Sequence, residues 1–154
     1  MRKPEREIVG INEIADVMRR ADTIRLALHD EPYPYIVPLS FGLEVVNGKI
    51  ALYFHGAREG LKHELIEKNP HACVEADIFY AYMESINGLT TEYESVVGFG
   101  SCELIGGTEA AYAMKLILVH CGYAGYIYDQ FAPDAAAVYR ITLDSVSGKR
   151  NRRD

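Results

Sequence analysis

Apolar and polar positions alternate along this chain with two different periods, and the period assigns most elements. Ile11, Ile14, Val17, Met18 and Ala21 recur three to four residues apart and predict an amphipathic helix, with Asn12 as its cap. From Thr23 to His29 the period drops to two, with Ile24, Leu26 and Leu28 on one side of a strand. Glu31-Pro32-Tyr33-Pro34 reads as a turn. Tyr35 to Val46 is apolar and β-branched but is interrupted by Pro38 and Gly42, as at a strand edge or bulge. Asn47-Gly48 then calls for two positive φ angles, the signature of a type I′ hairpin, with Lys49 to His55 as the returning strand.

Arg58 to Asn69 predicts a short helix with Leu61 and Leu65 as its apolar pair, stopped by Pro70. His71 to Phe79 reads as a strand. The polar and aromatic stretch from Tyr80 to Thr91 reads as a loop. Tyr93 to Ile105 reads as a long strand, broken or bent at Gly98 and Gly100. Thr108 is the expected cap of a helix from Glu109 to about His120, with Ala110, Ala113, Met114, Ile117 and Leu118 inside. Ala136 to Val146 alternates as a last strand, setting Val138, Arg140, Thr142 and Asp144 opposite Tyr139, Ile141 and Leu143. The sum is a mainly β chain of about six antiparallel strands with three short helices, which suggests a closed or half-closed β-barrel with peripheral helices.

Composition narrows the class. A chain of 154 residues, 49% apolar and 25% charged, is expected to form one domain over residues 1–154, with a real core. The formal net charge of −6 argues against nucleic acid as the main partner. The basic block Lys149-Arg150-Asn151-Arg152-Arg153 reads as a solvated tail. No apolar run approaches the roughly 20 residues of a membrane span, and the basic start lacks the apolar segment of a secretory signal. Three cysteines, Cys73, Cys102 and Cys121, form no Cys-x-x-Cys pair; reduced thiols and a cytoplasmic location are expected, with Cys73 and Cys102 buried.

The segment richest in candidate chemistry is Tyr53-Phe54-His55-Gly56-Ala57-Arg58-Glu59-Gly60-Leu61-Lys62. A buried strand ends in His-Gly-Ala and passes through a basic, glycine-bearing stretch into a helix. Backbone N–H groups converge at such a junction, so an anion can sit there. One imidazole and two cations, Arg58 and Lys62, surround it. A histidine at a strand end is often purely structural, and a lysine on a helix surface is ordinary; the small neighbours and the paired cations favour a phosphate-bearing ligand. Tyr35 to Gly42 is either a core strand or a wall for an aromatic ring, with Ser40 adding a hydroxyl. Tyr93 and Ser95 share one face of their strand, an exposed face or a ligand contact. His29, His63, His71 and His120 show no metal-binding spacing, and no Gly-x-Gly-x-x-Gly or Gly-x-Ser-x-Gly motif follows a strand. Tyr123, Tyr126 and Tyr128 read as packing, with a pocket lining as the alternative.

These segments together resemble the flavin-binding split-barrel proteins related to pyridoxamine 5′-phosphate oxidase, and within them the nitroimidazole-resistance branch. The resemblance spans roughly residues 22–148. It rests on Tyr35-Ile36-Val37-Pro38-Leu39-Ser40-Phe41-Gly42, on Leu52-Tyr53-Phe54-His55-Gly56-Ala57 with Gly60 and Lys62, and on Asn69-Pro70. Tyr93-Glu94-Ser95-Val96-Val97-Gly98-Phe99-Gly100 and Ile141-Thr142-Leu143-Asp144-Ser145-Val146-Ser147-Gly148-Lys149 complete it. It implies FMN held at the interface of a homodimer. Val37, Pro38, Leu39 and Ser40 would line the ring and ribityl chain. His55, Gly56 and Ala57 would lie beside the flavin, and Lys62 would take the phosphate, with help from Arg58. Tyr93, Ser95 and Val96 would come from the partner subunit.

The expected function is therefore an FMN-dependent oxidoreductase reducing a small organic acceptor, a nitro-aromatic compound among them, with His55 as the catalytic proton carrier. No metal, nucleic-acid or membrane partner is expected. A non-catalytic flavin or haem carrier or sensor is the alternative. Pyridoxamine 5′-phosphate oxidation comes third, because His55 to Lys62 is poorer in Ser, Arg and Lys than that enzyme's phosphate motif.

Overall fold

The computed structural model describes residues 3–86, 88–126 and 136–152. Eight strands form one antiparallel sheet: β1 (Glu7–Ile8), β2 (Ile24–Leu28), β3 (Tyr35–Leu39), β4 (Gly42–Val46), β5 (Lys49–Ala57), β6 (His71–Ser85), β7 (Gly88–Ile105) and β8 (Ala136–Asn151). The helices are α1 (Ile11–Arg20), α2 (Leu61–Lys68) and α3 (Gly107–His120), preceded by a 3₁₀ turn at Pro4–Arg6. Strand order is β3-β2-β6-β7-β8-β5-β4, with β1 added to β8.

The two ends of this order explain the architecture. β3 and β4 lie on opposite edges of the sheet, yet only Ser40 and Phe41 join them. Leu39 and Gly42 are therefore at most about 11 Å apart, because consecutive Cα atoms are about 3.8 Å apart. The sheet must roll until its edges approach. β3 and β4 do not pair with each other, so the barrel is split and not closed. Inside it pack Ile24, Leu26, Phe41, Ile50, Leu52, Phe54, Val74, Val96, Tyr139 and Ile141, with Val17 and Met18 of α1. A second cluster, Ala51, Tyr53, Ile105, Ala110, Ala113, Ile117 and Val138, seats α3 on the outside. The alternation read in β8 divides its residues between these clusters as expected: Tyr139, Ile141 and Leu143 face the barrel and Val138 faces α3.

Several expectations need correction. Tyr80 to Thr91 is no loop: β6 and β7 continue as a paired ladder to Ser85↔Gly88, with a register shift between Phe79 and Ala81. This arm projects past the core, so it buries neither face and carries no clean alternation. Its aromatic and β-branched residues still favour a pleated ladder. The strands among the described residues thus number eight and not six, since the Tyr35–Val46 run splits into two and β1 adds a short strand that was not expected, while the arm only lengthens β6 and β7. Asn12 and Thr108 are not caps: α1 follows Gly10 and α3 follows Gly106, neither with a side-chain cap bond. α2 starts at Leu61, after Gly60, and its buried residues are Leu65 and Ile66, while Leu61 is exposed. The basic tail is largely strand: Lys149, Arg150 and Asn151 pair with Ser95, Glu94 and Tyr93. Cys102 is buried, Cys73 only half-buried, and Cys121 exposed; all three are free thiols.

Other readings hold. Asn47 and Gly48 both adopt positive φ, 52° and 75°, and close β4 onto β5. β7 shifts register between Phe99 and Gly100, where a bend was expected. Among the described residues no helix is long and apolar enough to cross a membrane. Tyr123 and Tyr126 are exposed; Tyr128 and Arg153 lie outside the described residues.

Candidate functional site

The carboxyl end of β5 is open on one side. β4 pairs with β5 only from Lys49 to Tyr53, whereas β8 accompanies β5 to Ala57. From Phe54 to Ala57 one edge of the backbone has no strand partner. β3 is likewise an edge strand, bonded to β2 alone, and Pro38 sits in it opposite Arg25. Both open edges begin at the same corner, Leu39-Ser40-Phe41-Gly42. Pleating sends Pro38 and Ser40 outward, while Val37 and Leu39 pack against the core. The sequence-predicted residues of β3 and β5 thus border one split.

Lys62 closes this region from α2. Its Nζ lies over the Phe54 ring, 5.6 Å from the centroid, and a Cβ placed on Gly56 would stand 2.6 Å from that nitrogen. A glycine at 56 is what leaves room for the ammonium group. Lys62 makes no ion pair among the described residues, and burial lowers its pKa from the ordinary lysine value. His55 stands beside it. Protein atoms crowding the imidazole lower its pKa, and the Lys62 charge lowers it further, so the ring is mainly neutral at pH 7. Arg58 is exposed and already engaged in an interaction of its own.

Tyr93, Ser95 and Val96 are elsewhere in the chain. His55 pairs with Val138 of β8, whereas Val96 pairs with Gly148 of the same strand. At about 3.3 Å per residue, the two points lie roughly 30 Å apart along β8. One copy of the chain does not bring these residues to Lys62. Tyr93 and Ser95 are half-buried, with Lys149 Nζ 6.0 Å from the Tyr93 ring. The Val96 side chain is fully buried in the core, and its backbone is paired on both sides, with Ala76 of β6 and Gly148 of β8, so this strand offers a ligand Tyr93 and Ser95 and not Val96.

Two features escaped sequence reading. His63 Nδ1 is hydrogen-bonded to the hydroxyl of Tyr139, 76 residues away, and Glu67 lies 3.4 Å from its Nε2. Glu94, only 1% exposed, receives hydrogen bonds from Arg20, Tyr80 and Arg150. No local motif announces either: the first needs α2 set against β8, and the second needs α1, β6 and β8 gathered around β7. Two concavities lie apart from the split. One of about 390 Å³ is lined by residues including Leu28, His71, Cys73, Phe99 and Asp144. The other, of about 410 Å³, lies between α3 and β5, where Tyr53 and Tyr112 both donate to Glu44. Among the described residues no group of three or more His, Cys, Asp or Glu is placed to hold a metal ion.

The family model described as pyridoxamine 5′-phosphate oxidase matches residues 11–150. The chain belongs to this family. No curated protein matches it. Among solved structures it is similar to a candidate 5-nitroimidazole antibiotic resistance protein from Bacteroides thetaiotaomicron, with 27% identity and a TM-score of 0.77 over 93% of this chain and 85% of that one. It is also similar to an FAD-binding protein from Mesorhizobium loti (21% identity, TM-score 0.69, 96% of this chain and 98% of that one). A third is an FAD- and haem-binding protein from Mycobacterium smegmatis (17% identity, TM-score 0.78, 96% of this chain and 74% of that one). The latter two, at lower identity, bear on the fold of this family member alone.

Proposed function

We propose that this member of the pyridoxamine 5′-phosphate oxidase family binds FMN in the split between β3 and β5, acts as a homodimer, and reduces a small organic acceptor. The observation that carries the reading is Lys62. A partly buried ammonium with no carboxylate partner among the described residues, held beside a glycine at an open strand edge, is a cation prepared for an anion. The flavin-binding structures of the same fold favour a flavin, and one partly buried lysine at the open edge favours one phosphate group, as in FMN. Val37, Pro38, Leu39 and Ser40 would line the ring and ribityl chain. His55, Gly56 and Ala57 would border the ring, and Lys62 would take the phosphate with Arg58 nearby. FMN, when bound, supplies the electron-transfer chemistry.

The ten-residue separation along β8 between the partners of His55 and Val96 favours the homodimer. Tyr93 and Ser95 would reach such a site from a second copy, whereas Val96, paired on both sides and buried, would support that strand from within. The similarity to the nitroimidazole-resistance structure supports a nitro-aromatic acceptor. The test is direct: purified protein should be yellow, elute as a dimer, bind FMN more tightly than riboflavin, and turn over a nitroimidazole with NADH or NADPH. A colourless protein with no affinity for FMN sinks the reading. Tight FMN binding without turnover supports instead a flavin carrier or sensor.

Two variants probe the site. Gly56→Ala should displace the flexible end of Lys62 while leaving the backbone undisturbed. FMN affinity is expected to fall about fivefold, with stability unchanged within about 0.5 kcal/mol; equilibrium dialysis and thermal melting read the two effects. His55→Ala should lower turnover by at least about tenfold, because a neutral imidazole at the ring is able to take up and return a proton, while an exposed side chain adds little stability. Unchanged flavin reoxidation with every acceptor would remove His55 from the chemistry.

A further inference from the structure

Lys62 is held by a ring of contacts that closes on itself. Its ammonium lies over Phe54. Phe54 stacks on Tyr139, with centroids 5.1 Å apart and planes at 17°. The Tyr139 hydroxyl is hydrogen-bonded to Nδ1 of His63, the residue that follows Lys62. Phe54 and Tyr139 are core residues of β5 and β8, fixed to each other by the ladder pair Phe54↔Tyr139. α2, in contrast, has only eight residues, and no side chain caps its start. Its buried apolar residues, Leu65 and Ile66, lie in the second half. The first turn, which carries Lys62, is therefore tied to the barrel chiefly through the His63–Tyr139 bond.

We propose that Tyr139 is a positioning residue for the anion site: through His63 its hydroxyl fixes the first turn of α2, and so keeps Lys62 beside Gly56. This inference rests on the reading of Lys62 as the phosphate-binding cation. A protonated Nε2 facing Glu67 leaves Nδ1 free to accept the Tyr139 O–H, so one tautomer serves both neighbours. Tyr139 touches no ligand in this arrangement. Its effect on binding passes through the placement of Lys62 alone.

Tyr139→Phe keeps the ring, its stacking and its volume, and removes the hydroxyl. The expected result is an FMN dissociation constant raised about three- to tenfold, from the loss of one hydrogen bond that orders a turn. Riboflavin, which lacks the phosphate, should bind Tyr139→Phe as it binds the wild type. His63→Leu should reproduce the effect, and the double variant should be no worse than either alone, since both remove one contact. If Tyr139→Phe does not fold, His63→Leu gives the same comparison from a side chain near the surface. Equal loss of FMN and riboflavin affinity, no loss of either, or additive single effects would overturn the proposal. Failure of the underlying reading looks different: the wild type and Lys62→Ala would then bind FMN alike. A fall in FMN affinity for Lys62→Ala with none for Tyr139→Phe leaves the phosphate reading standing and removes the positioning role.

Discussion

Lys62→Ala is expected to weaken FMN binding by about 10- to 100-fold and to leave riboflavin binding unchanged. A charge-assisted contact to a phosphate group is worth roughly 1.5–3 kcal/mol, which sets that range. The environment of Lys62 decides that the effect is large. In the free protein, burial disfavours its charged form, and among the described residues no carboxylate offsets the penalty. An arriving phosphate relieves it, so binding gains both the contact and the relief. The same reasoning fixes the sign of the stability effect. At neutral pH the folded apoprotein holds a cation that the unfolded chain hydrates better, so Lys62→Ala should leave the melting temperature of the apoprotein unchanged or slightly higher. Arg58→Ala should cost less affinity, because Arg58 is exposed and already makes an interaction of its own. FMN and riboflavin titrations of both variants, with thermal melting of the apoproteins, check all three statements. Equal loss of both ligands in Lys62→Ala would assign the lysine to general packing.

How much of this was legible in the sequence depends on the range of the signal. The hairpin at Asn47-Gly48, the inward alternation of β2 and β8 and the amphipathic face of α1 are local, and they emerged where expected. The approach of Lys62 to Gly56 was legible for the same reason: the two are six residues apart, and a strand-to-helix junction brings them together. The β6–β7 arm was missed because it stands clear of the core and has no buried face to imprint a period. The capping roles of Asn12 and Thr108 were misplaced because glycines opened both helices a residue or two earlier. Lys149 to Asn151 read as a tail because basic residues signal solvent; Arg150 is drawn into the sheet by a buried carboxylate 56 residues away. The Tyr139–His63 bond spans 76 residues and had no signal at all. What was legible in the site was its local half. The part that β8 organises was not.

Glu94→Gln is expected to destabilise the fold by about 2–3 kcal/mol at pH 7 and to flatten its acid limb. Glu94 is buried, and burial alone would raise its pKa. Hydrogen bonds from Arg20 at 2.6 Å, Tyr80 at 2.6 Å and Arg150 at 2.5 Å overcome that and bring it down to about 2. In the unfolded chain the same carboxyl titrates near 4.3. The folded value is the lower one, so between the two the unfolded state binds more protons. The stabilisation is complete above about pH 5 and is lost as pH falls towards 2. A shift of this size corresponds to roughly 3 kcal/mol, and the partial exposure of both guanidinium groups trims it. That exposure also separates Glu94 from a fully buried pair, where removing one partner costs about 3–5 kcal/mol, since Arg20 and Arg150 recover water when the carboxylate is gone. The exposed pairs Arg19–Asp16 and Arg25–Asp77 should contribute at most about 1 kcal/mol each. Urea unfolding at pH 7, 5, 4 and 3 distinguishes the cases. The wild type should lose stability steeply below about pH 5, and Glu94→Gln much less, the two curves converging at low pH. Parallel acid limbs would show that the cluster joining α1, β6, β7 and β8 is not what acid dismantles.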